Sequence, residues 1–275
     1  MKKFIISLFV LGLIATPVLS ADYNPASRVS TVGKNLLEKN GLPTDTKFEV
    51  VESEADNSNV STTNIIYISA TNLAYAGNDN EVAAVVSNEI GHIINGKTSK
   101  TKLRNLAKSV ITSNLSSDNL ITTAANSEYV ANKTSLNDNK AADITGSDLM
   151  IQAGYNPLAM VVVITKMPGS SMEILRGKPS NSERAMNVFN YLTYNYPSKV
   201  KSGYGCQEYK NFLTYANPII EERNASAKKL AKFNKEQEKN KAERIKNVNQ
   251  YKTTGTSSWD TSYQLIQAFT ESSEK

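Results

Sequence analysis

Histidine occurs once in this chain of 275 residues, and so does cysteine. The single cysteine, Cys206, cannot close an internal disulfide, so the fold must be held by its core, and Cys206 reads as a buried free thiol or an intermolecular partner. The single histidine, His92, leaves no second imidazole for a site that needs two. Serine or cysteine hydrolysis finds no support either, because no Gly-x-Ser-x-Gly occurs and Cys206 has no evident base. Gly-rich phosphate loops are missing. The formal charge is +5, or +3 once Lys2 and Lys3 leave with the N-terminal segment, an excess too small to argue for nucleic acid.

Beyond the N-terminus no apolar run approaches the ~20 residues of a spanning helix; the longest, Leu158 to Ile164, fits a buried helix or strand. The N-terminus itself has Lys2-Lys3, an apolar run from Phe4 to Val18 and small residues at Ser20-Ala21. That is the three-part layout of a secretory signal peptide, and the run is short for a retained anchor. The expectation is a signal peptide over 1–21 and export to periplasm or exterior, with one domain over 22–217 and a polar, basic helical extension over 218–275.

Periodicity supplies the elements. Val29, Val32, Leu36 and Leu37 share one helical face ahead of the Asn40-Gly41-Leu42-Pro43 break, and Phe48, Val50 and Val51 with Ile65 to Ile68 read as two short strands in a hairpin or small sheet. Asp79-Asn80-Glu81 starts a helix that carries Val82, Val85, Val86, Ile90 and Ile93 and closes at Gly96. One helix and a connection are expected within 97–137, then helices over 139–150, 158–167 and 187–194. Residues 219–252 hold ten Lys or Arg against five Glu, the composition of a solvated helix. Trp259, Tyr263, Ile266 and Phe269 recur at helical spacing and would dock back onto the body.

Asn88-Glu89-Ile90-Gly91-His92 carries the chemistry. It reads as the zinc-protease sequence H-E-x-x-H with its first histidine replaced by an amide. That motif works because positions i and i+4 share a helix face, where two imidazoles grip zinc and the glutamate polarises its bound water.

The surrounding residues extend the pattern: Glu81 to Ser87 upstream, then Ala142-Asp143, Gly146, Ala153-Gly154-Tyr155, Pro157, Lys178-Pro179 and Arg184. From about Val29 to Tyr196 the chain resembles zinc-metallopeptidase family M forty-eight, which includes the heat-shock protease HtpX and the CAAX prenyl proteases. The resemblance implies an α+β, mostly helical, gluzincin-like zincin domain with a small β element. It also implies that His92 is the surviving metal ligand and Glu89 the surviving general base. The other positions depart from the family pattern: Asn88 stands at the first ligand, Asn139 at the downstream glutamate ligand, and Lys178 where the family has a histidine.

If a full zinc site is worth on the order of 10 to 16 kcal/mol, each ligand supplies roughly 3, and losing two costs about 6 kcal/mol or ~10⁴ in affinity. An amide oxygen does not make up that loss, because zinc favours imidazole, thiolate and carboxylate. The expectation is no cofactor, with Zn²⁺ the only candidate. In the family the aspartate at Asp143 would orient the first histidine. With Asn88 there, its amide is expected to donate to Asp143, with Asn139 bridging the same helices, Lys178 placing positive charge near Glu89, and Arg184 bonding near the Tyr155–Pro157 turn.

Three functions compete. The leading one is an exported, catalytically inactive metallopeptidase-like protein that binds a peptide or envelope partner. A residual zinc metalloendopeptidase is the alternative, with Glu89 as base, His92 as ligand, and Asp138 or Asp143 recruited. The third is an envelope-surface binder using weak anionic contacts through 223–252.

Overall fold

The computed structural model describes residues 23–52, 65–95, 136–169 and 180–251. The expected signal peptide, most of the 97–137 connection, Lys178, and the Trp259 to Phe269 set lie outside these residues, as does the side chain of Asp138.

Helix α1 (Pro25–Asn40) starts on Asn24, whose side chain accepts from the backbone N–H groups of Ala26 and Ser27, and ends on Gly41 at φ 62, a left-handed conformation that glycine adopts without a Cβ penalty. Its buried face is Val29, Val32, Leu36 and Leu37, the stripe the sequence predicts. Strands β1 (Lys47–Val51) and β2 (Ile65–Ser69) pair in parallel, with Lys47 opposite Ile65 and Val51 opposite Ser69. The small sheet is therefore present but the hairpin is not. A parallel pair needs a crossover of about a dozen residues, and the polar stretch 52–64 has that length, whereas a hairpin loop takes only about two to five.

The short α2 (Ala70–Leu73) leads to α3 (Asp79–Ile94), which runs through the core. From Glu81 to Ile94 every residue is buried except Asn88, which is half-buried. Helix α4 (Leu136–Gln152) packs along α3 more intimately than any other pair of elements. Two glycines make that approach possible. A Cβ added at Gly91 would lie 2.5 Å from the carbonyl oxygen of Ala142, and one at Gly146 would lie 2.9 Å from the carbonyl of Ser87. Gly91→Ala gains up to about 1 kcal/mol of helix propensity but must force two backbones apart, a strain of about 1 to 3 kcal/mol. We expect a net loss, seen as a lower thermal midpoint. Gly205→Ala, which would meet nothing within 4 Å, should leave the midpoint unchanged. A Gly91→Ala protein as stable as the parent would show that the helices do not approach this closely.

Helix α5 (Leu158–Lys166) absorbs the longest apolar run, and Leu158 to Ile164 are all buried. Helix α6 (Ser182–Asn195) packs on α4 and α5. After the short α7 (Pro197–Val200), helix α8 (Gln207–Asn224) brings Tyr209 and Phe212 to Phe189 of α6, with ring centroids 6.4 and 5.3 Å away. The compositional change at Pro218 falls inside α8, which continues through it. Helix α9 (Ala227–Tyr251) folds back on the body, where the Arg223 guanidinium lies 3.8 Å from the Phe233 ring centroid and Gln237 is buried. Among the described residues no helix is long and apolar enough to cross a membrane.

Candidate functional site

The start of α3 is set by Asn78, whose side chain accepts from the N–H groups of Asn80 and Glu81. From that start, Asn88 and His92 fall one turn apart on the same face. Asn139 and Asp143 repeat the spacing on α4, and Arg184 enters from the first turn of α6. All five, with Glu89, line one cavity of about 60 Å³, room for about four water molecules. Val163, Ile164, Met160 and Met167 form its apolar wall. The candidate residues named from the sequence are thus gathered at one place, apart from Lys178 and the side chain of Asp138, which lie outside the described residues.

Asn88 Nδ2 donates to Asp143 Oδ1 at 2.7 Å, the bond expected from the sequence. Asp143 is fully buried and receives two more hydrogen bonds from Arg184, Nε to Oδ2 at 2.9 Å and Nη2 to Oδ1 at 2.8 Å. This fork-to-fork geometry is the strong form of a charge-assisted pair. Three helices are joined through one carboxylate: α3 by Asn88, α4 by Asp143 itself, α6 by Arg184.

Two expectations are corrected here. Asn139 lines the cavity but makes no hydrogen bond to α3 among the described residues; at the cavity α3 and α4 are linked through Asn88 and Asp143, and at the C-terminal end of α3 Asn95 Nδ2 donates to Thr145 Oγ1 at 3.3 Å. Arg184 forks onto Asp143, and the Tyr155–Pro157 turn is held instead by Asn80, whose Oδ1 accepts from the Asn156 backbone N–H at 2.8 Å. Arg184 also brings a cation to the cavity that holds Glu89, the role expected of Lys178.

The donors described at this cavity do not fit zinc. His92 is one imidazole. The Asn88 amide nitrogen is committed to Asp143, leaving a neutral carbonyl oxygen, which zinc binds poorly. Both oxygens of Asp143 are taken by Arg184. No group of three His, Cys, Asp or Glu that could hold a metal ion occurs among the described residues. Recruitment of Asp143 as a substitute ligand would require breaking the Arg184 fork.

A second buried network escaped the sequence reading. Glu81, 3% exposed, accepts from Lys166 Nζ at 2.7 Å, the Gly77 backbone N–H at 2.8 Å, Asn78 Nδ2 at 3.0 Å and the Tyr204 hydroxyl at 3.1 Å. The Asn78-x-x-Glu81 spacing, close to a capping box, was a legible signal; Lys166 and Tyr204 arrive from distant sequence. Burial pushes the Tyr204 phenol well above its ordinary value, and the Glu81 carboxylate adds to the shift. A phenol raised in the folded state contributes stability that is complete below the unfolded value of about 10 and is lost as pH rises toward the folded one. Tyr204→Phe should therefore flatten part of the alkaline fall in thermal midpoint while lowering the neutral-pH midpoint through loss of the hydroxyl's hydrogen bond, shared between Asn78 Oδ1 and Glu81 Oε1. An unchanged alkaline limb would refute this.

With the geometry in hand, comparison with known proteins adds one finding. No curated protein and no solved structure matches the chain. A family model described as peptidase family M48 matches residues 24–192, which span α1 to the last turn of α6 and include every described element of the cavity. A match over well over half of the sequence, centred on the motif helix and its partners, establishes that this chain belongs to peptidase family M48.

Proposed function

We propose that this protein keeps a gluzincin-like peptidase scaffold but has exchanged hydrolysis for binding, holding a peptide or an envelope protein in the groove that served substrates. Export by the N-terminal segment would bring it to the periplasm or the exterior. Family members are usually zinc-dependent, and the observation that supports departure from that habit is the Asn88–Asp143–Arg184 array at the ligand positions. An amide and a guanidinium neutralise and tether Asp143, so the helices that a cation would join are joined without one. The Met160 to Met167 wall supplies an apolar surface beside polar groups at the other end of the cavity, whose volume of about 60 Å³ suits the tip of one side chain of a bound peptide.

The alternative is a zinc endopeptidase with atypical ligands, favoured by the presence of both Glu89 and His92 at the cavity. Casein labelled with a fluorophore separates the two. Binding without cleavage is expected, with affinity falling at least about tenfold in Val163→Trp, which fills the cavity, as expected if roughly 1.4 kcal/mol of contact is lost. Cleavage that disappears in Glu89→Gln would establish the endopeptidase instead.

A further inference from the structure

Helix α9 carries a row of lysines with a single orientation. At 100° per residue, Lys228, Lys232, Lys235 and Lys239 fall within about 60° of arc and extend about 16 Å along the helix. All four are exposed. The opposite face is anchored, since Phe233 stacks beneath Arg223 and Gln237 is buried, and on the flank Glu238 accepts from the Tyr194 hydroxyl at 3.0 Å. Arg223 is itself held by Asn190 of α6 at 2.6 Å. The helix is therefore pinned with its lysine crest directed away from the body.

Three described lysines are matched with carboxylates: Lys166 with Glu81, Lys140 with Glu183, and Lys229 with Glu222. None of the four crest lysines enters an ion pair among the described residues. Glu236 and Glu238 lie about 80° to either side of the crest, so the positive field is confined to a narrow ridge. A flat anionic surface touches such a ridge tangentially and leaves the flanking carboxylates behind. A flexible polyanion following the ridge would meet those carboxylates on both sides.

We propose that the α9 crest docks the protein on an anionic lipid bilayer by electrostatic adsorption, without insertion. Phe233 packs against the body, and the exposed Ile245 lies about 110° around the helix from the crest, so charge supplies the attraction at the crest. Each lysine brought to an anionic surface contributes about fivefold in partition, and the effect decays within a Debye length of about 8 to 10 Å. This docking is independent of whether the cavity binds or cleaves peptides.

Sedimentation of the full chain with vesicles tests it, comparing equimolar phosphatidylglycerol and phosphatidylcholine with phosphatidylcholine alone. The ratio of the two partition coefficients cancels any contribution from the apolar N-terminal segment. Lys228→Gln/Lys232→Gln/Lys235→Gln/Lys239→Gln is expected to reduce that ratio at least about a hundredfold, and molar salt should do the same to the parent protein. Lys34→Gln/Lys39→Gln/Lys199→Gln/Lys201→Gln removes equal charge from exposed positions on other elements and should change the ratio less than about threefold, since those lysines are not part of the crest. Equal losses in the two variants would reduce the effect to net charge and overturn the proposal. Preferential binding to soluble polyphosphate over the anionic vesicles would also overturn it, in favour of a linear polyanion. A parent protein that does not distinguish the two vesicle types would end it outright.

Discussion

Asp143→Ala is expected to lower unfolding free energy by about 3 to 5 kcal/mol, because it removes the carboxylate that the nearly buried Arg184 guanidinium forks onto and the acceptor of Asn88. For a domain of this size that corresponds to a fall of about 6 to 20 °C in thermal midpoint. Arg184→Ala should cost a similar amount by the opposite route, leaving a fully buried carboxylate with one neutral donor. The double variant carries the sharper information. If the pair acts as a unit, Asp143→Ala/Arg184→Ala costs less than the two single losses together by about 1 to 3 kcal/mol. Strict additivity would show that the fork seen between α4 and α6 does not couple the helices.

The expected effect of rebuilding the metal site is larger still. Asn88→His/Asn139→Glu places a second imidazole one turn before His92 and a carboxylate on the facing helix, all three at one cavity. Zinc affinity should rise about 10⁴-fold over the parent protein. The new histidine can donate its other ring N–H to Asp143, preserving the outer support that Asn88 now receives. Without zinc, the added carboxylate near Glu89 destabilises the variant by like-charge repulsion. With zinc, the midpoint should recover and then rise with metal concentration, as for any ligand that binds only the folded state. A double variant whose midpoint ignores zinc would mean that Asn88 and Asn139 do not occupy former ligand positions.

How much of this could be read from the sequence depends on the range of the interaction. The four-residue spacings of Asn88 with His92 and of Asn139 with Asp143 put each pair on one helix face, and the family resemblance brought the two faces together, so the Asn88–Asp143 hydrogen bond was expected before any coordinates. The partner of Arg184 was misplaced, because a lone arginine in the first turn of a helix has no local cue to which carboxylate it will reach 41 residues upstream. The parallel pairing of β1 and β2 was missed for a related reason. Alternating and apolar residues identify strands, but direction is set by the length and path of the connection. The Glu81 network was half legible: Asn78 and Glu81 form a local cap, while Lys166 and Tyr204 join from 85 and 123 residues away. Gly91 and Gly146 were visible as motif residues, yet only the structure shows that each faces backbone of the opposing helix.

Metal content of the unmodified protein, purified without chelator and measured per chain alongside His92→Ala, decides whether an amide and an arginine have replaced the cation. Both preparations should contain zinc well below one equivalent and show the same value. One equivalent of zinc in the unmodified protein, lost in His92→Ala, would mean that a metal centre persists at this cavity and that the Asn88–Asp143–Arg184 array has not displaced it.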